Sequence, residues 1–219
     1  MGLLKHIEQV KEAYKKAYAG MKDEQRRNYL EELKFNAEKV KYNAKTIKEE
    51  SDRIRTEHRT TMNAIAKEVK ETVARVRAVY EKEAKAEYQP KGDALIAEDV
   101  ALFNSGILLS KEEVARMARK YADNSTMMRV LENYVATNKI GVDAEVSGAF
   151  LKAERMNENA MRAFDAFEKK AQATLDLMAY NEPNNEIFTR CNDKIVEYVE
   201  EYKNEMQIIN TGSEGEGNV

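Results

Sequence analysis

Residues 30–80 read LEELKFNAEKVKYNAKTIKEESDRIRTEHRTTMNAIAKEVKETVARVRAVY, and their spacing decides the fold. Leu30, Leu33, Ala37, Val40, Ala44, Ile47, Ser51, Ile54 and His58 follow one another at alternating steps of three and four, which puts them on one stripe of an α-helix. Beyond His58 the stripe continues through Met62, Ile65, Val69, Val73, Val76 and Tyr80, and an eleven-residue repeat replaces the heptad. The period rises from about 3.5 to about 3.67 residues per turn, so a supercoil along it starts left-handed and then straightens or reverses.

No Gly or Pro lies between Met21 and Tyr88, so nothing in the local propensities interrupts the helix. One helix over 23–89 would measure about 100 Å at 1.5 Å per residue. Its stripe is longer than the rest of the chain can cover, which predicts pairing with another copy. The self-association seam is Leu30, Leu33, Val40, Ile47, Ile54, His58, Met62, Ile65, Val69, Val76 and Tyr80. Ala37, Ala44, Ser51 and His58 stand where Leu or Ile would bury more surface, each giving up about 1–2 kcal/mol, so the pairing is expected to be reversible.

Working outward, Leu3, Ile7, Val10, Tyr14, Ala17 and Met21 repeat at the same spacing, and Gly20 followed by Asp23 reads as a stop and restart. A leading amphipathic helix over 1–22 is expected to pack on the long helix. Gln89-Pro90-Lys91-Gly92 marks a boundary. Over 90–140 three short helices follow: one near Asp93–Asn104, one opened by the capping box Ser110-Lys-Glu-Glu113, and one starting at Asn124 or Ser125. Residues 141–210 read as a helical hairpin, with a seam from Val146 to Met178, a turn at Pro183, and a last helix carrying Phe188, Ile195, Val199 and Tyr202. Residues 211–219 read as a disordered acidic tail. The fold class is all-α, a long N-terminal coiled-coil-like helix followed by short helices and a C-terminal helical hairpin.

Composition agrees. Charged residues make up 34% of the 219, Trp is absent, and Gly and Pro number only 9 and 2, which suits long helices. Residues 1–89 carry 21 basic and 16 acidic side chains, the remainder 15 and 23. Along the front half the signs alternate closely, as on a solvated helical face. With one cysteine, no secretory leader and no apolar run of about 18 residues, the expected location is cytoplasmic.

The usual catalytic and metal constellations are missing. The two histidines, His6 and His58, follow Leu3 and Arg55 by three residues, so no Glu-x-x-His di-iron pair exists, and two histidines with one cysteine are too few for an ordinary zinc site. Cys191, on the apolar side of its helix, reads as a packing residue. Arg53, Arg55, Arg59, Arg75 and Arg77 are interleaved with acids and form no basic stripe with stacking aromatics. His58 reads as a polar register-setting residue of the seam, and Met127, Met128, Met156 and Met161 as core. No enzyme activity, cofactor or metal is expected, and neither nucleic acid nor membrane is an expected partner.

The segment LLSKEEVARMARKYADNSTMMRVL, Leu108 to Leu131, with its Leu-Ser-x-Glu-Glu start, Lys120-Tyr121 and Asn124-x-Thr126-Met127-x-Arg129, resembles segments of poorly characterised helical head-assembly proteins of Gram-positive tailed phages and prophages. The resemblance covers roughly a ninth of the chain. It implies a scaffold or minor head component, a capsid or other phage structural protein as partner, and a location in host cytoplasm or on the virion. The function expected is that of a non-enzymatic oligomeric assembly protein. The alternatives are a phage-encoded helical protein that inhibits or adapts a host protein, and a membrane-associated coiled coil.

Overall fold

The computed structural model describes residues 2–179 and 185–211. It is all-α, with seven helices among the described residues: α1 (Leu4–Glu38), α2 (Ala44–Tyr88), α3 (Ala97–Asn104), α4 (Lys111–Lys120), α5 (Ser125–Thr137), α6 (Ala144–Ala179) and α7 (Asn185–Thr211). None of them is long and apolar enough to cross a membrane. The turn expected near Pro183 and the tail from Gly212 onward lie outside the described residues, while Thr211 still belongs to α7.

The single rod expected over 23–89 does not form, and neither does a separate leading helix over 1–22. α1 runs through Gly20 without interruption. A Cβ at Gly20 would meet Ile65 Cδ1 at 3.4 Å, an ordinary van der Waals contact. This glycine faces α2 from inside α1 and does not end the helix. The chain reverses at residues 39–43, where neither Gly nor Pro stands. A 3₁₀ turn over Lys39–Lys41 ends in extended Tyr42 (φ −108°, ψ 150°). Asn43 then starts α2, its Oδ1 accepting the Thr46 N–H at 2.9 Å and so satisfying one free donor of the first turn. Tyr42 stacks on Phe35 with ring centroids 6.5 Å apart and donates to Glu38 at 3.2 Å.

By contacts the fold groups into two compact units, residues 1–80 with 165–201 and residues 81–164 with 202–219. In the first, α2 lies antiparallel on α1. Arg53 meets Glu31 at 2.8 Å, His58 meets Glu24 at 3.0 Å, Glu68 meets Lys16 at 2.7 Å, and the Tyr80 ring packs edge-on to His6 at 6.1 Å. These pairs are nearly symmetric about Tyr42. α6 runs parallel to α1, since Tyr18 bonds to Ala171 O and Gln25, two turns on, to Met178 O. α7 runs antiparallel to α6, with Lys170 bonded to Glu201 and Thr174 to Tyr198. Ile7, Val10, Met21, Met62, Val69, Val73, Phe167, Leu175 and Ile195 fill this core.

In the second unit α4 and α5 start at the residues read as their starts, whereas α3 begins at Ala97 and not near Asp93, after a 3₁₀ turn over Gly92–Ala94 and without a side-chain cap. Ser110 Oγ accepts the Glu113 N–H at 3.2 Å, and Glu113 Oε2 accepts the Ser110 N–H at 2.8 Å. Asn124 Oδ1 accepts the Met127 N–H at 3.0 Å while its Nδ2 donates to Ala94 O at 2.8 Å, so one side chain caps α5 and ties the preceding loop to it. The core joins Phe103, Val114, Tyr121, Met127, Leu131, Tyr134 and Phe150. The Tyr134 hydroxyl clamps the loop before α4, donating to Ile107 O at 2.7 Å and accepting from Leu109 N–H at 3.0 Å.

Because the Asn43 cap marks the point where the expected rod divides, Asn43→Ala is expected to lower the unfolding free energy by about 1 kcal/mol in urea titrations. An unchanged midpoint would show that the side chain is not what starts α2.

Candidate functional site

The stripe read from the sequence separates into two parts. Ile54, Met62, Val69 and Tyr80 are buried, and His58, Ile65 and Val76 are half-buried, all facing the first unit's own helices. The outer part is different. Leu30 and Leu33 are each 48% exposed, Val40 is 86% exposed, and Ile47 is only half-buried. From Arg26 to Arg53 no residue is buried. This hairpin end nonetheless carries Tyr29 and Tyr42, both exposed, and half-buried Phe35.

The expectation that the whole stripe joins copies is thus corrected for its inner part. Once α2 folds back, Ile54, Met62, Val69 and Tyr80 are buried within the first unit, where α2 is tied to α1 and α6, and the outer part stays exposed. The aromatic members of the hairpin end lie off the three-four spacing and were missed for that reason. The one local signal for the reversal was Asn43-Ala-Lys-Thr46, an N-cap written inside an otherwise uninterrupted pattern.

At the inner margin of the hairpin end lies a polar cluster. The Glu24 carboxylate is nearly fully buried and receives a forked pair of bonds from Arg27, Nε at 2.8 Å and the terminal nitrogen at 2.7 Å, with His58 Nδ1 at 3.0 Å. His58 therefore fixes α2 on α1 and does not sit between copies. Burial alone would raise the Glu24 pKa, but the bonds from Arg27 and His58 outweigh it and hold the carboxyl below its ordinary value. Toward the tip, Arg53 binds Glu31, Glu50 and Glu57 at 2.6–2.9 Å, tying the two helices together.

The remaining candidates are dispersed. Arg77 is committed to Asp165 and Glu168 at 2.6 and 2.8 Å, and Arg75 donates to Thr72. Cys191 is buried, and burial pushes its thiol pKa up, which suits packing. Met127, Met128 and Met156 are core residues, and Met161 is half-buried. Among the described residues no group of three or more potential metal ligands comes together. In the second unit a cavity of about 410 Å3 opens between α4 and α6, lined by Ala115, Arg119, Met128, Ala149, Lys152 and Met156 among others. Burial lowers the Lys152 pKa, opposed only by the distant charge of Asp123. Spacing does not reveal this cavity, because its walls mix alanines with Arg119, Glu145, Lys152 and methionines drawn from three helices.

No family model, curated protein or solved structure matches the chain.

The Glu24 cluster has a pH signature. Its carboxyl is depressed in the folded state, so the stability it supplies is present above the ordinary value near 4.5 and is lost as the pH falls through the folded value. Unfolding free energy measured at pH 7 and then below pH 4.5 is expected to fall more steeply for the parent than for Glu24→Gln. At pH 7 that substitution is expected to cost about 1–3 kcal/mol by weakening the Arg27 and His58 bonds. Equal acid slopes in the two proteins would contradict the assignment.

Proposed function

We propose that this chain is a non-enzymatic helical assembly protein that acts by self-association, in the manner of a phage scaffold or minor head component. One observation carries the reading: a helical hairpin end of 28 residues, Arg26 to Arg53, exposes Tyr29, Leu30, Leu33 and Val40 and buries nothing. Several large apolar side chains left exposed on one projecting element mark an interaction site. A two-helix projection cannot cover it alone, since each helix shields only one face of the other. The phage assignment is supported by the resemblance of Leu108–Leu131, the segment that builds the Ser110 capping box, α4 and the start of α5.

A second reading, an adaptor that seizes a host protein, is favoured by the cavity between α4 and α6. Its Lys152 sits among alanines and methionines, a setting that suits an acidic helix of another protein. That reading calls for a one-to-one complex formed through the second unit without self-association.

Sedimentation over roughly 1–100 µM, the range of reversible association for interfaces of modest size, is expected to show masses rising from 25.1 kDa to a multiple of it. A monomer throughout would dispose of the assembly reading. Co-expression with a tailed-phage coat protein should change shell size or yield, and unaltered shells would remove the phage role while leaving self-association standing.

A further inference from the structure

We infer that two copies pair through this hairpin end with their hairpins antiparallel, the lysine-rich turn of each lying against the acid-rich base of the other. The inference rests on the self-association proposed above and names its surface, its partner and its orientation.

Charge is sorted along the hairpin end. Residues 39–48, at the turn, carry four lysines and no acid. Residues 26–33 and 49–53, which flank the base, carry five acids and three arginines, and Lys34 and Glu38 lie between base and turn. Within the chain these charges are only partly matched. Lys45 reaches Glu49 at 3.7 Å and Lys39 reaches Asn36 at 3.3 Å, while Lys41 and Lys48 have no ion-pair partner among the described residues. At the base Arg53 engages Glu31 and Glu50, leaving Glu32 on Asn28 and Asp52 without a cation.

Two copies can lay their hairpin ends together in two ways. Side by side in the same direction, the turns would bring eight lysines together and the bases ten acids against six arginines, which sets like net charge against like at both ends. Antiparallel about a two-fold axis, each turn faces the other copy's base, and every charged zone meets its opposite. Such a contact is isologous and closes on itself. It places Leu30 and Leu33, three residues apart on one face of α1, in a four-helix arrangement with the partner's copies, the usual way for helical hairpins to bury a stripe each. The five exposed large side chains, Tyr29, Leu30, Leu33, Val40 and Tyr42, offer on the order of 400–500 Å2 per copy, a substantial part of the ~800 Å2 per partner of a standard interface.

The second copy fits this surface better than an unrelated partner because the complementarity is internal. A ligand of one sign would satisfy either the turn or the base, and only another hairpin of the same design satisfies both.

The test uses the full chain, in which the sole cysteine is buried. Copies carrying Val40→Cys are mixed with copies carrying Leu30→Cys and treated with a short thiol cross-linker. Antiparallel pairing is expected to give mixed dimers in excess over Val40→Cys homodimers, since each turn lies beside the other copy's base. In parallel, Lys41→Glu/Lys48→Glu and Glu32→Lys/Glu49→Lys are sedimented alone and mixed. These positions are exposed, and circular dichroism checks that helix content is kept. Each variant alone is expected to associate about tenfold more weakly than the parent, and the mixture to recover parental association. Parental association in both variants together with absence of mixed cross-links would overturn this surface while self-association survives by another. A predominance of Val40→Cys homodimers would overturn the orientation. A parent that stays monomeric throughout would remove the underlying reading itself.

Discussion

The reversal at residues 39–43 is the constraint from which the rest of the fold follows. An α-helix that continued from α1 into α2 would carry its apolar stripe along one side of a rod with nothing in the chain to cover it. Extended Tyr42 and the Asn43 cap instead turn α2 back along α1. Ile54, Met62, Val69 and Tyr80 are then buried within the first unit. Each such side chain is worth about 1.5–3 kcal/mol when taken out of water, far more than the loss of a few helical hydrogen bonds at the turn. Tertiary burial thus overrides the local preference of a stretch without a helix breaker.

Register in that unit is held by polar groups as much as by packing. Gln25 Nε2 donates to Met178 O at 2.7 Å and the Tyr18 hydroxyl to Ala171 O at 3.2 Å, both in buried surroundings. With Glu24, Arg27 and His58 they fix α1 simultaneously against α2 and α6. Sliding a helix by one turn would leave these donors and acceptors unpaired in the interior, at about 1–3 kcal/mol each. Apolar side chains alone, many of them alanine or valine, would discriminate between neighbouring registers much less sharply.

Local chemistry was legible in the sequence, and long-range chemistry was not. The capping box of Ser110 and Glu113 and the start of a helix at Asn124 or Ser125 were legible because such signals are completed within four residues. The all-α class and the late helical pair followed from spacing alone. The reversal was missed because Leu33, Ala37, Val40, Ala44 and Ile47 keep the heptad running straight through it, so the period carries no mark of the turn. Gly20 was misread for a related reason: a glycine that ends a helix and one that faces a neighbouring helix look alike until Ile65 is placed beside it. The seam residues themselves were identified, but spacing says only that a stripe must be covered. Whether the cover is α6 of the same chain or a second molecule depends on where the chain reverses.

That division of the stripe also bears on how strongly copies would hold one another on the proposed reading. Had the whole seam been left exposed, association would have involved Ile54, Met62, Val69 and Tyr80 as well, and separation would have been slow. With those residues spent internally, the outer surface is a few half-exposed side chains set among charges of both signs. Lys41, Lys45 and Lys48 beside Val40 and Ile47 keep the apolar surface from spreading into indiscriminate contacts. They also make the contact sensitive to salt, because exposed charges are screened over about 10 Å at 0.1 M ionic strength. On that reading, charge would set the direction of pairing and limited burial its lifetime.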